Sequence, residues 1–145
     1  MLRGADQPLH YDAVKNYDRL SVGGAAGAKS DGRGHLVSAR ESYLRAYSYY
    51  RAPLAFLSPI EHPERFRSQY AHARACFRRA ASLFDPPIEP VDIPFEGTNL
   101  PAYLIAPRTD GTPRKTLIMA GGGDTFVEDL YAYIGPAATK RTGTP

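Results

Sequence analysis

The stretch KTLIMAGGGDTFVE, residues 115–128, constrains the fold more than any other part of this 145-residue sequence. Leu117, Ile118 and Met119 form a continuous apolar run, the pattern of a strand covered on both faces, as the inner strands of an α/β sheet are. Such a strand needs lateral neighbours. Gly121, Gly122 and Gly123 then remove every Cβ at its exit, so the backbone can turn sharply and present its N–H groups to a ligand. Asp124 and Thr125 open a helical pattern behind them. The expectation is exposed to a direct check: Met119 on an open surface, or the glycines absorbed into a continuous helix, would leave the reading built on this strand without footing.

Length allows one ordinary domain or a piece of a larger one. With 43% hydrophobic and 23% charged residues the composition is that of a soluble globular protein. No run approaches the ~20 apolar residues of a membrane span, and MLRGADQPLHYD lacks the apolar segment of a signal peptide, so a cytoplasmic location and no membrane partner are expected. One cysteine, Cys76, excludes an internal disulfide and a multi-cysteine metal site; no metal or cofactor is expected. A formal charge of +3, with arginines spread along amphipathic helices, points to a solvated surface and not to a nucleic-acid footprint.

Upstream of the glycines the chain reads in three sections. Residues 1–37 are predicted to be a weakly structured entry segment, because SVGGAAGAKSDGRG offers little to bury against the entropy of ordering it; Tyr11, Tyr17 and Leu20 could dock as a short helix. Residues 38–87 are predicted to form a helical hairpin. Ser38 and Glu41 have capping-box spacing, and Tyr43, Tyr47, Tyr50, Leu54 and Leu57 recur every three or four residues until Pro53 ends the regular helix near Arg51. Pro63 opens a second helix to about Phe84, with Phe66, Tyr70, Ala73, Phe77, Ala80 and Phe84 on one stripe. Each large side chain of that stripe gains about 1.5–3 kcal/mol on burial, and the preceding helix is the nearest partner.

From residue 88 the period changes to two. Val91, Ile93 and Phe95 alternate with Pro90, Asp92 and Pro94, EGTN makes a turn, and Leu100, Ala102 and Leu104 alternate with Pro101, Tyr103 and Ile105. This predicts a β-hairpin whose prolines place it at a sheet edge. RTDGTPR reads as a solvent loop before the inner strand 115–120. Thr125 and Glu128 again have capping-box spacing, Phe126, Leu130, Tyr133 and Ile134 supply an apolar helix face, and Gly135-Pro136 is expected to interrupt that helix.

Taken together, SARESYLRAYSYYRAPLAFL, FRRAASLFDPPIEPVDIPFEGTNLPAYLIAP and TLIMAGGGDTFVEDLYAYIG resemble the α/β-hydrolase superfamily over roughly residues 38–134. The subgroup is the one with an N-terminal helical segment, similar to acylaminoacyl-peptidase-like esterases and the carbon–carbon hydrolase acting on 2,6-dihydroxypseudooxynicotine. The resemblance implies an α/β fold in which 38–87 is a helical cap and 88–145 the first three strands and first helix of the hydrolase sheet. It makes Gly122 and Gly123 backbone N–H donors of an oxyanion hole, places Asp124 at the border of the substrate pocket, and lets Tyr43, Tyr47 and Tyr50 line it. Fixed amides at a helix N-terminus suit a tetrahedral oxyanion, which needs donors at about 2.7–3.1 Å. The resemblance implies a small molecule or an acyl or peptidyl group as substrate of the full-length enzyme, and it allows a homo-oligomer.

The sequence departs from the family in lacking the G-x-S-x-G nucleophile elbow. No serine follows Gly123, and His10, His35, His62 and His72 all precede it. The expectation is therefore a shortened or frame-shifted hydrolase chain, inactive alone. Blander readings stand beside these: a ligand-free turn or a phosphate loop for the glycines, although GGGDTF lacks the Lys-Ser/Thr of a P-loop; an N-cap for Asp124; helix packing for the tyrosines; a small buried hydrophobe for Cys76; a structural His72. A solvated face explains Arg67, Arg74 and Arg78. The alternative for the whole chain is a non-enzymatic helical interaction module with a basic helix face.

Overall fold

The computed structural model describes residues 27–29 and 31–140. The expected docking of Tyr11, Tyr17 and Leu20 lies outside the described residues, as do most of the entry segment and the last five residues. The chain divides into two compact units, Met1–Leu83 and Phe84–Pro145.

In the first unit, helix α1 spans Leu36–Arg51 and helix α2 spans Pro63–Ala81. Residues 27–29 and 31–32 are also helical. α1 begins two residues before the expected Ser38, with His35 at its N-cap and no side-chain cap, so the Ser38–Glu41 box does not form; the Glu41 carboxylate instead accepts from Arg40 at 3.1 Å. Pro53 ends the regular helix at Arg51 as its missing N–H requires, and Ala52–Ala55 tightens into a 3-10 turn. α2 starts at Pro63. It ends at Ala81 and not near Phe84, because the Ser82 hydroxyl donates to the Arg79 carbonyl at 2.8 Å and the prolines beyond cannot continue a helix.

The two helices bury a seam of small residues. Ala39 and Ala46 on α1, and Ala73 and Ala80 on α2, are each seven apart and fully buried, which lets the backbones approach closely. Tyr47 meets Phe77 edge to face at a centroid distance of 5.5 Å. Leu54 and Leu57, on the connecting segment, are buried as well. Buried Gln69 donates to the Tyr50 carbonyl at 3.0 Å, in the last turn of α1, where helix carbonyls run out of intrahelical donors.

The second unit contains a two-stranded antiparallel sheet, β1 (Glu89–Phe95) and β2 (Thr98–Leu104), and helix α3 (Leu130–Lys140), entered through a 3-10 turn at Val127–Asp129. Glu96 and Gly97 both have positive φ, 44° and 77°, the requirement of the two-residue turn that matches strand twist. Phe95 faces Thr98 across that turn, so this pair exchanges hydrogen bonds and pairing alternates outward. Pro94 against Asn99, Asp92 against Pro101 and Pro90 against Tyr103 then occupy the non-bonded positions. Three prolines fit because none is asked to donate to the ladder.

The inner strand expected at 115–120 does not form: the sheet has two strands, and 115–120 carries no strand assignment. Leu117 is 72% exposed, Ile118 88% and Met119 42%. A single extended segment has no ladder to satisfy its backbone, and no described strand offers one. The check posed by Met119 thus goes against an interior strand in this chain. The helix behind the glycines is also corrected. Gly135-Pro136 does not interrupt α3, since a residue without Cβ removes the clash that proline imposes on its predecessor. Tyr133 is largely exposed and not part of an apolar face. The architecture is helices with a two-stranded antiparallel sheet, consistent with part of an α/β fold.

Candidate active site

Gly122, Gly123 and Asp124 lie in the second unit, at a turn that precedes the 3-10 turn, and all three are exposed. The Thr125 amide donates to the Gly122 carbonyl at 3.1 Å, closing one turn. The glycines differ in what a side chain would meet. At Gly121 a Cβ would come within 2.8 Å of the Thr125 side chain, whereas at Gly122 and Gly123 nothing lies within 4 Å. The first is thus required by the turn itself. The other two have open space on the side where a Cβ would project.

The turn is fixed by two neighbouring acids with different duties. Asp129 reaches back to accept from the Phe126 amide at 3.0 Å, and its own amide donates to the Phe126 carbonyl at 3.0 Å. The expected capping pair Thr125 and Glu128 is therefore displaced by one residue. The displacement has a cause: Glu128 is only 1% exposed and accepts from the Tyr103 hydroxyl at 3.0 Å, which ties the turn to β2. Asp124, considered as an N-cap, precedes the N-cap position, which Phe126 takes. The Tyr103–Glu128 pair was not singled out from sequence. Its one signal was the alternation that puts Tyr103 on the proline face of the hairpin.

The tyrosines proposed to line the pocket lie in the first unit. Tyr47 is buried against Phe77, and Tyr50 stacks on His72 at 5.4 Å with an interplanar angle of 29°. Tyr43 is half-buried with its ring beside Gly27, where a Cβ would come within 3.0 Å of it. Arg79 donates to Asp31 from Nε at 2.8 Å, and that bond, with a smaller contribution from Tyr43, raises the guanidinium pKa. Burial raises the Cys76 thiol pKa, which works against a thiolate there. Among the described residues no group of three or more His, Cys, Asp or Glu is placed to hold a metal ion. No described helix is long and apolar enough to cross a membrane.

The helices, the antiparallel hairpin and the glycine turn are consistent with part of an α/β fold, and the relatives agree in class: they are hydrolases. The chain is 40% identical over 117 residues to Hydrolase ORFZ of Pyricularia oryzae, covering 76% of this chain and 27% of that protein. It is 36% identical over 128 residues to the alpha/beta hydrolase psoB of Aspergillus fumigatus, covering 81% and 28%. Against the alpha/beta hydrolase xenA of Xenoacremonium sinensis it is 37% identical over 106 residues, covering 70% and 24%. These relatives support the α/β-hydrolase superfamily for this chain, which spans about a quarter of their length. No family model matches the sequence.

Proposed function

We propose that this chain provides the oxyanion-hole turn and helical cap of a serine-type α/β hydrolase, which cleaves an ester, amide or activated carbon–carbon bond through an acyl-enzyme. The substrate is a small molecule or an acyl or peptidyl group. Gly122 and Gly123 donate backbone N–H groups to the oxyanion, Asp124 borders the pocket, and Tyr43, Tyr47 and Tyr50 belong to the cap. The single observation carrying this reading is the similarity to hydrolases over about three quarters of the chain, and the open space at Gly122 and Gly123 supports it. The turn has no steric need for glycine at those two places, whereas close approach of a reacting carbonyl gives one. The apolar run 117–119 supports an inner strand that forms once neighbouring strands flank it.

Since no serine, cysteine or histidine follows Gly123, the nucleophile, acid and histidine of this reading come from hydrolase residues outside the 145. The chain alone therefore gives no serine-type turnover of p-nitrophenyl esters. The direct test is a chimera in which this chain replaces the matching segment of the Pyricularia oryzae hydrolase. Gly123→Pro deletes an N–H donor and lowers kcat by about 10²–10³, the usual effect of losing one oxyanion contact. Gly123→Ala keeps the N–H but adds a Cβ where the carbonyl approaches, and lowers kcat less than Gly123→Pro does. Equal effects of the two would remove the oxyanion role.

One feature favours the interaction-module reading instead: a shallow groove of about 300 Å³ on α2, lined by Arg67, Tyr70, Ala71, Arg74, Ala75 and Arg78. Arg67 already pairs with Glu64 at 2.7 Å, which lowers the positive charge it offers a partner. An inactive chimera whose isolated chain binds acidic peptides would favour the module.

A further inference from the structure

Thr112, in the segment RTDGTPRK that follows the hairpin, meets what an enzyme modifying a peptide chain requires of its acceptor. Residues 105–120 carry neither helix nor strand, and Thr112, Pro113 and Lys115 are all exposed. The bonds that shape residues 110–114 are local. The Thr112 amide donates to Asp110 Oδ1 at 3.1 Å, and Arg114 donates to both Asp110 oxygens and, at 3.0 Å, to the Thr112 carbonyl. Exposed pairs of this kind are weak, so a binding cleft can straighten the segment without disturbing the hairpin or α3.

Pro113 and Lys115 define the cleft that would take this segment. Proline restricts the residue before it to extended backbone, the form in which a cleft reads a peptide. It also has no N–H, so a cleft without an acceptor at that position takes proline and penalises any other residue with an unpaired amide. Lys115 lies about 10 Å further along an extended chain, where a carboxylate pocket can hold its ammonium. The sequence has two other Ser/Thr-Pro pairs for comparison. Ser58-Pro59 has Glu61 where Thr112-Pro113 has Lys115. Ser58 is also half-buried, its hydroxyl accepts from the Glu61 amide at 3.2 Å, and its carbonyl accepts from the His62 amide at 3.0 Å. Thr144-Pro145 lies outside the described residues.

We propose that Thr112 is a phosphorylation site for a protein kinase that selects proline after the acceptor and a base three residues on, and that the phosphate takes Arg114 from Asp110. The site does not depend on the hydrolase reading. Thr112 Oγ attacks the γ-phosphorus of a nucleoside triphosphate held by the kinase. The bond from that phosphorus to the β-phosphate oxygen breaks, nucleoside diphosphate leaves, and a carboxylate of the kinase takes the hydroxyl proton. The new group carries about −1.5 to −2 charges at pH 7 and three strong acceptor oxygens. Its surroundings suit it, since residues 108–115 set Arg108, Arg114 and Lys115 against Asp110 alone. The Arg114 guanidinium already reaches the Thr112 carbonyl, whereas Asp110 becomes a like charge beside the phosphate.

The test incubates the 145-residue chain with ATP and a purified cyclin-dependent protein kinase, and follows incorporation by peptide mass mapping. A single phosphoryl group is expected first on the peptide containing Thr112, ahead of Ser58 and Thr144. Thr112→Val removes it, and Pro113→Ala slows it about tenfold, the effect of one unpaired amide in the cleft. Lys115→Ala slows it about threefold, as loss of one exposed charge pair does, while Thr116→Val leaves the rate as it was. Circular dichroism checks that the variants keep their fold, and the ranking of the three sites in the unaltered chain needs no variant. No incorporation, a preference for Ser58 or Thr144, or a rate indifferent to Pro113→Ala would overturn the site. The change of partner is read by NMR titration of the modified chain, where the Asp110 carboxyl midpoint moves from about 2 toward 3.8. An unmoved midpoint would overturn the exchange.

Discussion

Glu128 shows what a single buried acid demands of its surroundings. Its side chain is almost wholly removed from water, and the Tyr103 hydroxyl is among its donors. Tyr103→Phe keeps the ring and deletes the proton, so a buried acceptor loses a bond and the unit loses about 1–3 kcal/mol, measured by urea unfolding. No loss would mean that another donor replaces the hydroxyl. Asp110 is the opposite case, an exposed acid held by geometry. Arg114 donates to both its oxygens at 2.6 and 2.7 Å, and the Thr112 amide adds a bond at 3.1 Å. The Arg114 bonds, then the Thr112 amide, bring its pKa down from the ordinary 3.8 to about 2. A depressed carboxyl pKa means that the ordering of residues 110–114 is fully present above about pH 4 and is lost as pH falls through about 2. An NMR titration of the Asp110 carboxyl should show that low midpoint, and Arg114→Ala should return it toward 3.8.

At the level of elements, periodicity was legible and neighbours were not. The 3.6-residue period gave both helices of the first unit, and the period of two gave a hairpin with its register and turn, because those signals depend only on which side of an element meets apolar surroundings. The capping boxes misled. Ser38–Glu41 and Thr125–Glu128 have the right spacing, yet Glu128 is taken by Tyr103, a contact across 25 residues that no local pattern displays. The inner strand failed for a related reason, since an apolar run records what a segment is suited to and a strand exists only beside another. For the site, Gly122 and Gly123 were readable as a turn with open backbone, while the acids that fix that turn were not. Gly135 was read as a break, but it is buried inside α3, where a Cβ would lie 2.1 Å from the Tyr131 ring. That ring in turn meets Phe84 edge to face at 5.4 Å. Gly135→Ala therefore sets about 1 kcal/mol of gained helix propensity against about 1–3 kcal/mol of overpacking. The expected net is a destabilisation of roughly 1 kcal/mol, seen as a lower urea midpoint; a rise in the midpoint would show that Tyr131 moves aside freely.

For the molecule as a whole, stability is unevenly spread along the chain, and the unevenness can be measured. The α1–α2 pair is held by buried alanines, two aromatic contacts and the Gln69 bond, all at long sequence separation. Residues 105–126 have neither helix nor ladder, and Leu117, Ile118 and Met119 among them are exposed. Local opening costs least where few buried contacts and backbone bonds must break, and a protease needs an extended segment of several residues to bind. Among the described residues, brief trypsin treatment should therefore cut first after Arg108 and Lys115, within the extended segment. Arg65, Arg67, Arg78 and Arg79 on α2 are exposed as side chains but held as backbone, and cleavage there requires the helix to open. Peptide mass mapping over a time course separates the two classes of site. If the α2 sites were cut as fast as Arg108 and Lys115, the helical pair would not be the stable part of the chain. Slower cutting at Lys115 in the chimeric hydrolase than in the isolated chain is expected in addition, because ordering 115–120 as a strand would withdraw it from the protease.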